Sequence, residues 1–336
     1  MTTRSYSSRL GSIADHQFAS ALHRLDLGDF VRAEAISGGL FGQNVFVTST
    51  QGDWVLRGVP HTDAQLWSER FFVQHLHEQT SVPVPWPYLI DDSTDLLGWS
   101  YAVMPRMPGL PLSDRAVVDR LSRGDRLAVA AALGTNLATA HQLIWESVGH
   151  YSRMSDRVDP IAESWETWIE SEVRDWLNRA RHSPRTTDAD VEWVNEMVST
   201  ARPALAGSFS ARVVFRDYGE HNVVVQQTGD RWDVSGMFDL MEASVGDGEM
   251  DLARQVALYL DEDAGYARSF LQRYLELQPP RRGFAARFPV YMLRDRLIVW
   301  EYGVRPDAPT WWDPRLQLRE WAEPYTSSLR LLMEGH

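Results

Sequence analysis

Cysteine and lysine are both missing from the 336 residues, so all 33 basic side chains are arginine. Without cysteine there is no thiol nucleophile, no cysteine-bound zinc, no iron–sulfur cluster and no disulfide, and the redox compartment stays open. Without lysine there is no Schiff-base amine and no Walker-type phosphate lysine. Long apolar runs are also lacking. The most apolar stretch, Leu127 to Leu143, is interrupted by Gly134, Thr135, Asn136 and His141 and is too short to cross a bilayer. Met1 to Leu10 has no apolar core of a secretory signal. Basic charge is in deficit, with 46 acidic residues giving a formal net charge of −13. That argues against nucleic-acid binding, which needs basic patches, and favours cationic small molecules. What remains is ample core material: 44% hydrophobic residues and 14 tryptophans, enough for a cytoplasmic, two-lobed globular chain, a monomer or weak dimer without membrane contact.

The first hundred residues read as strands punctuated by turns. Val31 to Ser37 leads into Gly38-Gly39, then the alternating run Asn44 to Val47, a turn at Gln51-Gly52-Asp53, and Trp54 to Arg57. Between Thr62 and Thr80 the apolar positions Leu66, Phe71, Phe72, Val73 and Leu76 fit a helix, which Val82-Pro83-Val84-Pro85 ends. Strands are expected at Trp86 to Ile90 and Trp99 to Met104. Pro105 to Pro111 is the densest proline and glycine cluster, and it divides an N-lobe, residues 1–105, from a C-lobe, residues 106–336. The C-lobe pattern is helical over Asp125 to Ile144, Ile161 to Ala180, Asp190 to Leu205, Asp251 to Leu260 and Tyr266 to Leu277. Inside it, strand-like runs return at Val213 to Phe215, Val223 to Val225 and Trp232 to Phe238, an α+β arrangement that marks the place to look for chemistry.

There the segment Arg216 to Asn222 sets Asp217 and Asn222 five residues apart on a loop between two apolar strands, and Asp239 ends the next strand. An aspartate able to accept a hydroxyl proton, with an asparagine and a second aspartate offering oxygens to Mg²⁺, is the minimum equipment for phosphoryl transfer to an alcohol. Taken singly, Asp217 and Asp239 fit turn caps better than they fit catalysis.

Order and spacing together resemble the aminoglycoside phosphotransferase family of kinase-fold small-molecule kinases, and loosely the hygromycin B phosphotransferases within it. Its signature is His-Gly-Asp, four residues, then Asn, with a second metal aspartate, a Gly-Asp and an Asp-Leu-Ala downstream. Phe215-Arg216-Asp217 and Asn222 stand at the first positions, and Asp239, Gly246-Asp247 and Asp251-Leu252-Ala253 match the downstream ones. The resemblance implies a protein-kinase-like fold with an antiparallel-sheet N-lobe and a mainly helical C-lobe. It also implies ATP or GTP as co-substrate, Asp217 as catalytic base, and Asn222 and Asp239 as Mg²⁺ ligands. For the nucleotide it implies a glycine loop at Gly38 and Gly39, Arg57 in place of the phosphate lysine, Glu69 as its partner, and Met104 and Arg106 at the base. Two departures stand out: Phe215 replaces the histidine, removing the hydrogen bond that steadies the loop, and Arg216 replaces the glycine. His141, on an apolar helical stripe, reads as structural.

For the acceptor, Ile161 to Ala180 sets Trp165 and other apolar residues on one face and Glu163, Glu166 and Glu170 on the other. Glu166, Glu170 and Trp165, joined by Glu220 and Glu242, are the candidates to line a cleft for a cationic, hydroxylated acceptor such as a hygromycin-like antibiotic. A solvated helix face is the competing reading of the carboxylate row. Alternatives for the whole chain are a kinase of a macrolide, sugar or other metabolite, and a nucleotide-binding module without transferase activity.

Overall fold

The computed structural model describes residues 3–7, 10–36, 43–59, 64–305 and 312–334. The chain forms two compact units: Met1–Leu121 with Tyr151–Arg157 and Glu220–Ala243, and Ser122–His150 with Val158–Gly219 and Ser244–His336. The strand expected over Trp99 to Met104 forms at Ser100–Pro105, and the first unit continues past it through Leu121 and takes back two later segments.

In the first unit a five-stranded antiparallel sheet runs in the order Phe30–Ala35, Asn44–Ser49, Gly52–Val59, Ser100–Pro105, Leu89–Asp91. Alternation drives this. Val45 and Val47 point inward with Leu56, Tyr101 and Val103, and the helix Asp15–Arg24 closes the core with Phe18, Ala21 and Leu22. The helix Ala64–Gln79 buries Leu66, Phe72, Val73 and Leu76, and Glu69 along with them. A second sheet pairs Val223–Thr228 with Arg231–Met237 and with the short strand Leu110–Pro111. Gly109 makes that last pairing possible. Its φ is +133°, and a Cβ there would lie 2.8 Å from the Val225 carbonyl oxygen, so the proline-rich crossing needs glycine.

The second unit is mainly helical. Helix Arg123–Ala140, started by a Ser122–Asp125 capping box, packs on Ala264–Leu277, and Gly134 lets the two backbones approach. The long helix Phe284–Gly303 packs against Trp165–Ala180, Asp188–Leu205 and Leu318–Thr326. The helix expected from Ile161 begins at Trp165. Ser164 takes the extended N-cap conformation and Glu166 sits in the first turn, leaving Ile161 and Glu163 ahead of it. Its stripe Trp165, Ile169, Val173 and Leu177 is buried core. A small sheet pairs Ala211–Val214 with Ser244–Gly246 and Ile144–Trp145, and it carries the backbone into residues 215–217. No described helix is long and apolar enough to cross a membrane.

Candidate active site

Arg57 leaves the strand Gly52–Val59 with only 3% of its side chain exposed. Its Nε donates to Asn44 Oδ1 at 2.9 Å, and one terminal nitrogen reaches both Glu69 Oε2 at 2.6 Å and Asp239 Oδ1 at 3.2 Å. Glu69 is fully buried and holds three elements: besides Arg57, it accepts from the Tyr88 hydroxyl at 2.7 Å and, through Oε1, from the Leu240 N–H at 3.0 Å. Burial opposes the Arg57 charge, but Glu69 and Asp239 outweigh it and keep the guanidinium pKa above its ordinary value. The Tyr88 phenol is pushed well above its own ordinary value, first by burial and then by the Glu69 charge.

This pairing brings Arg57, Glu69 and Asp239 together in the first unit, 182 positions apart at the extremes of the Arg57–Asp239 contact. Asn222 joins them through the backbone, because the Phe238 N–H donates to the Asn222 carbonyl at 3.0 Å just before Asp239. Asn222 is buried, whereas Asp239 keeps 36% of its side chain exposed and sits at φ +68°, a left-handed conformation that is strained for a residue other than glycine. No cluster of three or more carboxylate or histidine side chains suited to a metal occurs among the described residues. One carboxylate and one amide, both hard oxygen donors, suit Mg²⁺, which takes few protein ligands and completes its shell with phosphate and water.

The other first-unit candidates are placed as follows. Met104 is buried in the strand Ser100–Pro105, paired with Val55. Arg106 lies 3.8 Å over the Phe46 ring, and its N–H is donated to the Asp53 carbonyl. Glu242 accepts from Gln65 at 3.1 Å, and Glu220 opens the one-turn segment Glu220–Asn222. Gly38 and Gly39 lie outside the described residues.

Asp217 belongs to the second unit. The loop that carries it has phenylalanine where the signature has histidine, and a carboxylate from further along the chain holds its backbone. Asp251 accepts the Phe215 N–H at 2.8 Å through one oxygen and the Arg216 N–H at 2.9 Å through the other. Phe215 is buried with its ring stacked on His141, centroids 6.2 Å apart and nearly parallel. His141 is fully buried, contacting the Tyr274 hydroxyl at 2.8 Å and Asp251 at 3.3 Å, a satisfied structural histidine as the sequence suggested. Arg216 has φ +64°, a conformation that glycine adopts freely, and holding it there costs a non-glycine residue about 1–2 kcal/mol. Asp217 is 42% exposed and accepts from Arg254 Nε at 3.0 Å. Arg254 also donates to Asp295 at 3.3 Å. Neither Arg254 nor Asp295 was anticipated. Arg254 directly follows the Asp-Leu-Ala triplet, but pairings across 37 and 41 positions leave no periodic trace.

The acceptor candidates on the helix Trp165–Ala180 point different ways. Trp165 is buried, stacks on Trp168 and donates its indole N–H to the Tyr291 hydroxyl at 2.9 Å. Glu170 pairs with Arg202 at 3.3 Å in the groove toward the helix Asp188–Leu205, and Glu166 is half-buried in the first turn. Trp168, which the sequence did not single out as a site residue, lies beneath the Arg216 guanidinium at 5.3 Å and beside His150.

Desolvation pushes the His150 imidazole below its ordinary value, the Arg216 charge pushes it further, and Glu172 pulls it back. In an NMR titration of the imidazole C–H signals, His150 therefore has its midpoint below about 6.5. Arg216→Ala raises that midpoint without restoring it fully, since desolvation is the larger cause; no movement would remove Arg216 from the ring's surroundings. Because the folded pKa is depressed, this group's contribution is complete above the unfolded value and is lost as the pH falls through the folded one.

A family model described as the phosphotransferase enzyme family matches residues 32–286. No curated protein sequence matches the chain. Among solved structures, one similar to this chain is a ternary complex of a thermostable mutant of aminoglycoside phosphotransferase APH(4)-Ia with ADP and hygromycin B. It has a TM-score of 0.63 and 15% identity over 94% of this chain and 98% of that one. Another is an aminoglycoside-3'-phosphotransferase of type VIII, with a TM-score of 0.53 and 19% identity over 84% and 99%. A GDP complex of an aminoglycoside 2'-phosphotransferase IIIa mutant has a TM-score of 0.57 and 13% identity over 95% and 96%. At these identities the likeness carries the fold, the α+β protein-kinase-like fold expected from the sequence, while the family model spans most of the chain. The chain belongs to the phosphotransferase enzyme family.

Proposed function

We propose that the protein uses ATP or GTP with Mg²⁺ to phosphorylate a hydroxyl of a small molecule of the aminoglycoside type. The observation that carries this reading is that one phosphotransferase-family chain keeps Asp217 on a loop clamped by Asp251, pairs Asp239 with Arg57, and bonds the Asn222 carbonyl to the Phe238 N–H just ahead of Asp239. In this reading Asp217 orients the acceptor hydroxyl and takes its proton as the oxygen attacks the γ-phosphorus, and the nucleoside diphosphate leaves. Asn222 and Asp239 hold Mg²⁺, which neutralises charge on the phosphate oxygens. Arg57, Glu69, Met104 and Arg106, with Gly38 and Gly39, serve the nucleotide, so residues 1–105 with the returning segment 220–243 form the nucleotide half. Arginine can grip phosphate in lysine's place, with a planar fork rather than a point charge. Glu166, Glu170, Trp165, Glu220 and Glu242 serve a cationic acceptor. Three features support an acceptor of that class: the net charge of −13, the tryptophan-rich second unit, and solved aminoglycoside phosphotransferases that share the fold along nearly the whole chain. Dependence on a nucleotide co-substrate fits a cytoplasmic enzyme, a monomer or weak dimer that confers antibiotic resistance.

The test is a panel of aminoglycosides, hygromycin B, macrolides and sugars incubated with MgATP or MgGTP, with product masses recorded. A gain of one phosphate on an aminoglycoside is the expected result. Phosphate gained only by a macrolide or sugar moves the acceptor to another class. Nucleotide binding without any phosphorylated product makes the chain a binding module.

A further inference from the structure

One charged group of the second unit has no part in the proposed function. Arg254 stands in the first turn of the helix Leu252–Leu260 and joins two aspartates: its Nε donates to Asp217 Oδ1 at 3.0 Å, and a terminal nitrogen donates to Asp295 Oδ1 at 3.3 Å. The two ends of this bridge differ. Asp295 is 8% exposed, and its second oxygen accepts two hydrogen bonds from Arg296 at 2.6 and 3.0 Å. Arg296 in turn lies over the rings of Trp321 and Tyr325 on the helix Leu318–Thr326. Asp217, by contrast, is 42% exposed on a loop. Burial works against the Arg254 charge, but the Asp295 and Asp217 carboxylates prevail and hold its pKa above the ordinary guanidinium value.

A guanidinium fixed at one end on a buried, doubly held carboxylate is a stiff arm, because its planar fork leaves little freedom once one edge is engaged. Asp251, three positions earlier, already fixes the backbone on the N-terminal side of Asp217 through the Phe215 and Arg216 N–H groups. The start of one helix thus secures both the main chain leading into Asp217 and the Asp217 side chain.

We infer that Arg254, anchored on Asp295, is a positioning residue that holds the Asp217 carboxylate in the orientation from which it receives the acceptor's proton. This rests on the proposed role of Asp217 as the base. Misaligning a base slows the chemical step without weakening acceptor binding, so the effect belongs in kcat rather than KM.

The experiment combines crystal structures of the wild type, Arg254→Ala and Asp295→Asn proteins with their kinetics on whichever acceptor of the panel is phosphorylated. In Arg254→Ala the Asp217 side chain changes rotamer or splits between rotamers. The kcat falls about 10- to 100-fold, while the acceptor KM stays within about twofold. Added guanidinium chloride at millimolar concentration restores part of that kcat, and restores none to Asp217→Ala. Asp295→Asn, which loosens the anchor and leaves the arm, gives a smaller loss of the same kind. Should Arg254→Ala fail to fold, Arg254→Lys and Asp295→Asn carry the same readouts. An Asp217 rotamer identical in wild type and variants overturns the inference whatever the kinetics do, and so does an unchanged kcat. Turnover by Asp217→Asn at the wild-type rate defeats instead the assignment of Asp217 as the base.

Discussion

Replacing Asp217 by alanine lowers kcat by about 10²- to 10⁴-fold, the range a general base supplies, and leaves the thermal shift produced by MgATP in place. The separation follows from placement. Asp217 lies in the second unit, where it pairs with Arg254, whereas the proposed nucleotide residues Arg57, Glu69, Asn222 and Asp239 lie in the first and keep their own side chains in this variant. Stability changes little, since the side chain is 42% exposed and Arg254 keeps its second carboxylate at Asp295. Product-mass kinetics and differential scanning fluorimetry together read both halves. A variant that still phosphorylates at the wild-type rate would take the base away from Asp217.

Glu69→Ala is expected to destabilise the protein by about 3–5 kcal/mol, the cost of stripping one partner from a buried ion pair. The Arg57 side chain is 3% exposed and that of Glu69 is fully buried, so the guanidinium would remain desolvated with Asn44 and Asp239 alone among its described partners. The Tyr88 hydroxyl and the Leu240 N–H would lose their acceptor as well. Glu69→Gln keeps the shape and some of these bonds and falls between the two. Urea unfolding measures the loss, and a change below about 1 kcal/mol would mean that the pair contributes no more than an exposed one. The same variant releases the residue beside Asp239, so nucleotide affinity falls with stability.

Much of this was legible in the residues because local physics wrote it. Alternation gave the strands Asn44–Ser49 and Gly52–Val59, and helical spacing gave Ala64–Gln79 with Glu69 on it. Asp217, Asn222 and Asp239 could be named as site candidates through the order and spacing they share with the phosphotransferase signature, since loop chemistry alone does not separate them from turn caps. The partners that fix them could not. Arg57 reaches Asp239 across 182 positions, Arg254 reaches Asp217 across 37, and Asp251 holds the loop from 36 positions away, all pairings that only the fold creates. Phe215 shows the limit well. From sequence its presence signals the loss of an imidazole hydrogen bond; that Asp251 holds the Phe215 and Arg216 N–H groups is a separate fact, which the residue at position 215 does not announce. The start of the helix at Trp165 was misplaced for a local reason, since Ile161 continues the apolar stripe while Ser164 stops the helix from reaching it.

The cation beside Asp239 also sets how this enzyme meets electrophiles. An amine in that position could be acetylated or carbamoylated, or captured by an activated ester carried on a nucleotide, and its charge would be lost. A guanidinium enclosed by Glu69, Asn44 and Asp239 offers no such nucleophile, and the chain holds no lysine elsewhere to compete. Side-chain acylation therefore has no lysine to act on here, and reagents that inactivate enzymes through a lysine at the triphosphate would leave this one working.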